Sequence, residues 1–312
     1  MKAAVIDRFG QAKNFRIAEL PNPTPSACQY LLKVHASSIN PVDWKIRNGM
    51  FRFLLWPKFP YVLGFDVCGE VVAAGVSAHR FKVGDWVFGM TPFMRAGAYA
   101  QYALADEKAL ALKPLSATPS EAAALPIAGL TALQGLRDRG RLKGGQDVLI
   151  IGAAGGVGHF AVQVAKVLGA NVTAVCSQKN IEWVLTLGAQ RAIDYQTTDI
   201  FADHRQFDLV FDTVAAHSFG CCKAILKKKG IYISTVPNVS SVFSQVTLPF
   251  YSLRRAKVLW LCRANDLDEL AALMNAGKLK PHIQQTFKLE QIQLAHELSE
   301  QHHVKGKLVI AS

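Results

Sequence analysis

The residues from Val148 to Asn180, VLIIGAAGGVGHFAVQVAKVLGANVTAVCSQKN, carry the pattern whose chemistry is plainest. A short apolar run, Val148 to Ile151, meets four glycines at 152, 155, 156 and 158. A helix-period pattern then puts Phe160, Val164, Val167 and Leu168 on one face, and a second β-branched run begins at Val172. Strand, tight turn, helix and strand in that order form a unit that holds a dinucleotide. Without Cβ atoms the turn can bend sharply and a pyrophosphate can approach the backbone. The first amides of the helix then point at phosphate oxygens.

The end of the second strand selects among dinucleotides. A site for NAD usually carries Asp or Glu there to bind the ribose hydroxyls. Here the strand Val172 to Cys176 runs into Ser177, Gln178 and Lys179, and the next carboxylate is Glu182. A hydroxyl and an ammonium suit a 2′-phosphate, which a carboxylate would repel, so the sequence predicts NADPH rather than NADH. The alternative is that Ser177 caps the next helix and Lys179 is a solvated surface residue.

The elements that must position these groups follow from the apolar pattern. From Asp147 onward, strands are predicted at Val148 to Ile151, Val172 to Cys176, Ala192 to Tyr195, Leu209 to Asp212, Ile231 to Thr235 and Val258 to Cys262, with helices between most of them. That alternation predicts an α/β fold with a Rossmann-type, doubly wound, parallel six-stranded sheet. The first 121 residues instead show short alternating strands (Ala3 to Asp7, Tyr30 to Ala36, Cys68 to Ala74, Asp85 to Gly89, Ala98 to Ala103) broken by Gly, Pro and Asn, which predicts a β-rich, barrel-like domain. After the sixth strand come a helix (Leu267 to Ala276), a loop, a helix (Leu289 to Gln301) and a strand (Lys307 to Ile310). This tail is expected to return to the first domain. The boundaries are therefore 1–121 with 264–312 for one domain and 122–263 for the nucleotide domain.

The chain has 312 residues, half of them hydrophobic, enough for two cored domains. The most apolar stretch, Val242 to Cys262, is interrupted by Arg254, Arg255 and Lys257, so no membrane span is predicted. A strand-like MKAAVID opens the sequence without a signal or transit pattern, and the expected location is cytoplasmic. Six cysteines form neither a CxxC pair nor a disulfide framework and read as small hydrophobes. The net charge of +12 is spread along the chain. It favours anions generally without building a nucleic-acid site.

The motifs SSINPVDWKIRNG (37–49), LGFDVCGEVVAAG (63–75), VGDWVFGM (83–90), GAYAQY (97–102), AAALPIAGLTAL (122–133), GAAGGVG (152–158) and GKLVI (306–310) run nearly end to end. Through them the chain resembles the zinc-independent medium-chain dehydrogenase/reductase superfamily, on its quinone oxidoreductase side. The resemblance implies a GroES-like catalytic domain, a Rossmann domain and an active site in the cleft between them. It also implies that Thr131 approaches the nicotinamide, that Gly155, Gly156, Val157 and Gly158 cradle the pyrophosphate, and that Ser177, Lys179 and Tyr195 surround the 2′-phosphate. Tyr195 serves equally as a packed aromatic.

Departures from the zinc-dependent relatives are as informative. Asn40 stands where they carry a Cys ligand, and Phe65 where a His ligand follows the glycine. Neither offers a thiolate or imidazole, and the four-cysteine structural loop is missing, so no metal site is predicted. Asn40 and Lys45 are the candidate catalytic residues: Asn40 to donate to a substrate carbonyl or contact the nicotinamide, Lys45 to stabilise developing negative charge. Asn40-Pro41 followed by Asp43 also reads as a helix N-terminus with Asn as its cap. Tyr61 and Tyr99 are further donor candidates, or core aromatics.

Without a Lewis acid, the remaining chemistry is hydride transfer from NADPH to a quinone or an α,β-unsaturated carbonyl, which needs orientation and hydrogen-bond donors. A 2-enoyl thioester reductase and a non-catalytic NADPH-binding sensor or scaffold are the alternatives. Aromatic and aliphatic residues in Met50 to Phe59 and Ser241 to Tyr251 suggest an apolar or aromatic substrate. The sixth strand is a candidate edge for a homodimer, with a monomer as the alternative.

Overall fold

The computed structural model describes residues 1–52, 57–202, 205–235, 254–258 and 262–311. Contacts divide the chain into two compact units, Met1–Ala128 with Arg263–Ser312, and Gly129–Cys262.

In the first unit, β1 (Lys2–Ile6), β2 (Phe15–Glu19) and β4 (Tyr61–Val62) form a three-stranded sheet. A larger sheet is built on the long strand β3 (Gln29–Ile39), which pairs antiparallel with β5 (Asp66–Ala74) and with β7 (Tyr102–Asp106). It continues from β5 through β6 (Trp86–Met90) to β8 (Leu110–Leu112). The GroES-like, β-rich architecture is thus realised. The strand expected at Ala98 to Ala103 begins four residues later, at Tyr102, with Ala100 making an isolated bridge to Ala3. Helix α1 (Pro41–Arg47) starts where Pro41 fixes φ and the Asp43 carboxylate accepts the Asn40 backbone N–H at 2.7 Å. Two short helices, α2 (Pro119–Ala123) and α3 (Pro126–Gln134), follow.

The nucleotide unit contains β9 (Asp147–Ile151), α4 (Gly156–Val167), β10 (Asn171–Cys176), α5 (Ile181–Thr186), β11 (Arg191–Asp194), β12 (Phe207–Asp212), α6 (Phe219–Cys222), β13 (Leu226–Ser234) and β14 (Arg255–Val258). The sheet order is β11-β10-β9-β12-β13-β14 and every pair is parallel. This is the doubly wound Rossmann order, with its reversal between β9 and β12. Its central strands bury Leu149, Ile151, Val210 and Tyr232 almost completely, which is why they read as continuous apolar runs.

The sixth strand begins earlier than expected, with Arg255–Val258 as its described part, while residues 259–261 of the expected Val258 to Cys262 lie outside the described ones. Arg255 and Lys257 do not interrupt it. They alternate with buried Ala256, and Lys257 Nζ donates to the Arg139 carbonyl at 2.7 Å, as an edge strand permits.

The tail supplies α7 (Leu267–Asn275), β15 (Ile283–Lys288), α8 (Ile292–Glu300) and β16 (Lys307–Ala311). Strand β16 pairs antiparallel with β3, and β15 adds to its other side. The segment read as a loop between the two tail helices is therefore partly the strand β15. Among the described residues no helix is long and apolar enough to cross a membrane. No disulfide joins the cysteines among the described residues. Burial pushes the thiols of Cys68 and Cys222 up to about 12 and that of Cys176 to about 11, as fits inert packing groups.

Candidate functional site

The glycine turn sits at the sheet's reversal point, between the loops that leave β9 and β12. Gly152 has φ +76°, and a Cβ there would meet Val214 and Thr213 at 2.7 and 2.8 Å. At Gly158 a Cβ would come within 2.0 Å of the Gly152 carbonyl oxygen, so glycine is what lets α4 pack against the end of β9. Gly155 is the N-cap of this twelve-residue helix, and residues 155–157 are half-buried at its open first turn. The unpaired first-turn amides give the cradle a donor set for an anion.

The facing loop is held from beneath. Asp212, fully buried, accepts the backbone N–H groups of Val214 (3.2 Å), Ala216 (3.1 Å) and His217 (2.9 Å) and the hydroxyl of Tyr232 (3.3 Å). Burial, reinforced by Asp212, pushes the Tyr232 phenol far up, so it remains a donor. Nothing in the sequence marks Asp212 beyond a carboxylate ending an apolar strand.

At the ribose end, Ser177 follows β10 and its Oγ accepts from Asn180 Nδ2 at 3.2 Å, leaving its O–H to donate elsewhere. Lys179 is exposed, and Tyr195 is 53% exposed. A hydrogen bond from Tyr195 N to Cys176 O (3.2 Å) brings Tyr195 beside the end of β10 and hence beside Ser177. Sequence reading missed a nearby carboxylate, Asp194, which pairs in register with Cys176. It is buried and committed to its own turn, accepting from Gln196 N (3.1 Å) and Thr197 Oγ1 (3.3 Å). Thr131 lies in α3 and is 9% exposed.

The catalytic candidates belong to the first unit. Asn40 is 2% exposed and is the hub of a buried polar cluster. Its Nδ2 donates to Asp66 Oδ2 at 2.8 Å, and Lys307 Nζ donates to its Oδ1 at 2.5 Å and to the Ile39 carbonyl at 3.2 Å. Asp66, also fully buried, accepts Ser38 Oγ (2.6 Å) and Ile127 N (2.9 Å) and lies 3.6 Å from Lys307 Nζ. Burial lowers the Lys307 pKa, opposed by the attraction of Asp66 and Asp43. The sequence reading gave Lys307 and Asp66 no role in this site. A charged residue opening each of the apolar strands β5 and β16 was the available signal.

Asp43, in α1, is pushed up to about 7, chiefly by burial and then by Asp66, against the Asn40 N–H that favours its charged form. Tyr61 and Tyr99 both pack in the unit's core. Burial and Asp43 raise both phenols, Tyr61 to about 12. Tyr61 Oη is buried without a hydrogen-bond partner among the described residues, whereas the Tyr99 hydroxyl faces the Asp43 carboxylate and favours its charged form.

Lys45 is half-buried, its Nζ 5.5 Å from the Trp44 ring centroid, and burial lowers its pKa. Asn40 and Lys45 thus have different surroundings, a buried network and a partly open helix face. Of the two segments expected to meet the substrate, Met50 and Phe59 are exposed, whereas 53–56 and all of 241–251 lie outside the described residues.

The donor set does not suit zinc. Phe65 stacks on Phe93 at 5.5 Å, Asn40 presents an amide already engaged on both ends, and an ammonium sits against its oxygen. Among the described residues no three His, Cys, Asp or Glu side chains group to hold a metal.

Residues 26–115 match the alcohol dehydrogenase GroES-like domain family and residues 187–310 the zinc-binding dehydrogenase family. Over 312 aligned residues the chain is 35% identical to the chloroplast envelope quinone oxidoreductase homolog of Arabidopsis thaliana, covering 96% of this chain and 95% of the relative. The NADPH-dependent alkenal/one oxidoreductase, chloroplastic, of the same plant is 32% identical, covering 99% of this chain and 79% of its own length. Among solved structures, the quinone oxidoreductase from Coxiella burnetii superposes with a TM-score of 0.92 at 36% identity, covering 100% of this chain and 99% of that one. The chain belongs to the medium-chain dehydrogenase/reductase superfamily, in its quinone oxidoreductase branch.

Proposed function

We propose that this protein is an NADPH-dependent oxidoreductase that reduces quinones and activated enones without a metal. The observation that carries this reading is that one chain holds both an intact dinucleotide cradle and a buried amide, Asn40, at the position where zinc-dependent relatives keep a ligand. The names of the quinone oxidoreductase and alkenal/one oxidoreductase relatives support the two acceptor classes.

The glycine cradle fits NADPH: the turn of Gly155, Gly156, Val157 and Gly158 would hold the pyrophosphate, with the open amides after Gly155 as donors, and Thr131 would meet the nicotinamide. Ser177, Lys179 and Tyr195 hold the 2′-phosphate, a set of donors with no free carboxylate to repel it. When bound, NADPH supplies the hydride. The chain's part is to orient the acceptor and stabilise charge on its oxygen. Asn40 Nδ2 spends one N–H on Asp66, and its second N–H donates to that oxygen. Lys45 adds positive charge, its lowered pKa easing proton release to the reduced product.

A small apolar or aromatic acceptor, a homodimer formed through the β14 edge and a cytoplasmic location complete the proposal. Light scattering tests the second and cell fractionation the third. The activity is tested by NADPH oxidation that depends on an added quinone or enone, with loss of at least tenfold in kcat expected for Asn40→Ala. Wild-type kcat in that variant overturns the role of Asn40.

A further inference from the structure

We infer that Lys307 and Asp66 are positioning residues that fix which end of the Asn40 amide is presented for reaction and strengthen it as a donor. This rests on the role given to Asn40 under the proposed function. The two ends of an Asn side chain are alike in shape, so its orientation is decided by its partners. Here the partners leave no choice. The Lys307 ammonium has only donors and sits 2.5 Å from one end, which must be the carbonyl oxygen. The Asp66 carboxylate has only acceptors and sits 2.8 Å from the other end, which must be the NH₂.

Both partners are held in turn. Lys307 also donates to Ile39 O at 3.2 Å, and Asp66 is clamped by Ser38 Oγ and Ile127 N. All of Asn40, Asp66 and Lys307 are at most 3% exposed, so water does not compete for these contacts. The amide therefore offers its surroundings a single free group, the second hydrogen on Nδ2, which has no partner among the described residues. A cation on the carbonyl oxygen withdraws electron density from the amide and makes that N–H a stronger donor. An ammonium acting through an amide thus does at this site what a cation acting directly on the substrate oxygen does in a metal-dependent one. Charge on Lys307 and Asp66 balances, so the cluster tolerates burial.

The test is a double-mutant cycle on acceptor-dependent NADPH oxidation with Asn40→Ala, Lys307→Met and both together, with thermal melting and NADPH affinity measured on each. Asn40→Ala is expected to lower kcat about 100-fold, in the range for removing one oxyanion donor. Lys307→Met is expected to lower it about tenfold, as loss of an orienting partner does. NADPH affinity should stay within about twofold, since the kcat effect is on chemistry alone. The double variant should be no slower than Asn40→Ala, because Lys307 acts only through Asn40. Multiplying losses, or wild-type kcat in Lys307→Met, overturns the inference while leaving the reductase reading standing. Wild-type kcat in Asn40→Ala overturns the inference together with the role of Asn40, and acceptor-independent NADPH consumption in the wild type overturns the reductase reading.

Should Lys307→Met fail to fold, Lys307→Met with Asp66→Asn replaces it, since it leaves no unpaired charge. A readout independent of turnover is the Asn40 side-chain ¹H–¹⁵N signal, assigned by its loss in Asn40→Ala. It should exchange slowly with solvent in the wild type and shift and exchange faster in the Lys307 variant. An unchanged signal overturns the inference even in a protein with no turnover.

Discussion

Lys179→Glu probes the choice of cofactor at its most exposed contact. Lys179 lies exposed in the short turn after β10 that Ser177 opens, and the Tyr195 N to Cys176 O bond holds Tyr195 against the same strand end. Because Lys179 is exposed, its charge-assisted contact with a 2′-phosphate belongs at the low end of such interactions, about 1.5 kcal/mol. A carboxylate about 6 Å from a doubly charged phosphate in water adds a repulsion of about 1 kcal/mol. The sum, about 2.5 kcal/mol, is roughly a 100-fold loss in kcat/KM for NADPH. NADH has no 2′-phosphate, and a carboxylate near its ribose hydroxyls is neutral to favourable. The NADPH to NADH preference should therefore fall about 100-fold in steady-state assays at low salt, and the effect should shrink in 0.5 M salt as screening grows. A preference unchanged within about threefold would show that Lys179 is only a solvated side chain and that the 2′-phosphate, if bound at all, is held elsewhere.

Gly158→Ala should cost about 3 kcal/mol in stability, since its methyl group would sit 2.0 Å from the Gly152 oxygen and force α4 off the end of β9; a lowered melting temperature with NADPH binding lost checks this. Asp212→Ala should free the loop it clamps. Hydrogen exchange at the Val214, Ala216 and His217 amides is expected to speed up by orders of magnitude, with a raised KM for NADPH. His296 is buried against Arg47, Phe15 and Tyr99, and burial, then the Arg47 charge, holds its pKa well below 6.5. The folded imidazole stays neutral while the unfolded one protonates below about 6.5, so its contribution to stability is present above that pH and lost as pH falls below it. Asp43, raised to about 7, acts in the opposite sense, its contribution being lost as pH rises from about 4 to about 7. His296→Gln isolates the first effect: wild type minus variant melting temperature should become steadily more negative from pH 7 to pH 5, and a constant difference would refute it.

The sequence revealed the elements whose burial is uniform. Strands β9, β10 and β12 are buried on both faces and read as apolar runs, and the switch to helical period after Gly158 marked α4. Strand β15, IQQTFK, buries only Phe287 well and so carried no alternating signal; β2 behaves similarly, with only Phe15 deeply buried. In β14 the cations Arg255 and Lys257 alternate with buried Ala256, so the strand starts before the apolar run that marked it in the sequence. The candidate site was legible where it is local, in the glycine turn and in Ser177 and Lys179. It was not legible where it depends on residues 26 and 267 positions apart, because a buried ammonium and carboxylate meeting at Asn40 leave no periodic trace.

The most direct test of the account is NADPH oxidation followed at 340 nm with 1,4-benzoquinone, 9,10-phenanthrenequinone, an alkyl enone and crotonyl-CoA, each with and without EDTA and repeated with NADH. The account predicts turnover with at least one quinone or enone, faster with NADPH than with NADH and indifferent to EDTA. NADPH binding without oxidation by any acceptor, or activity abolished by EDTA, would contradict it.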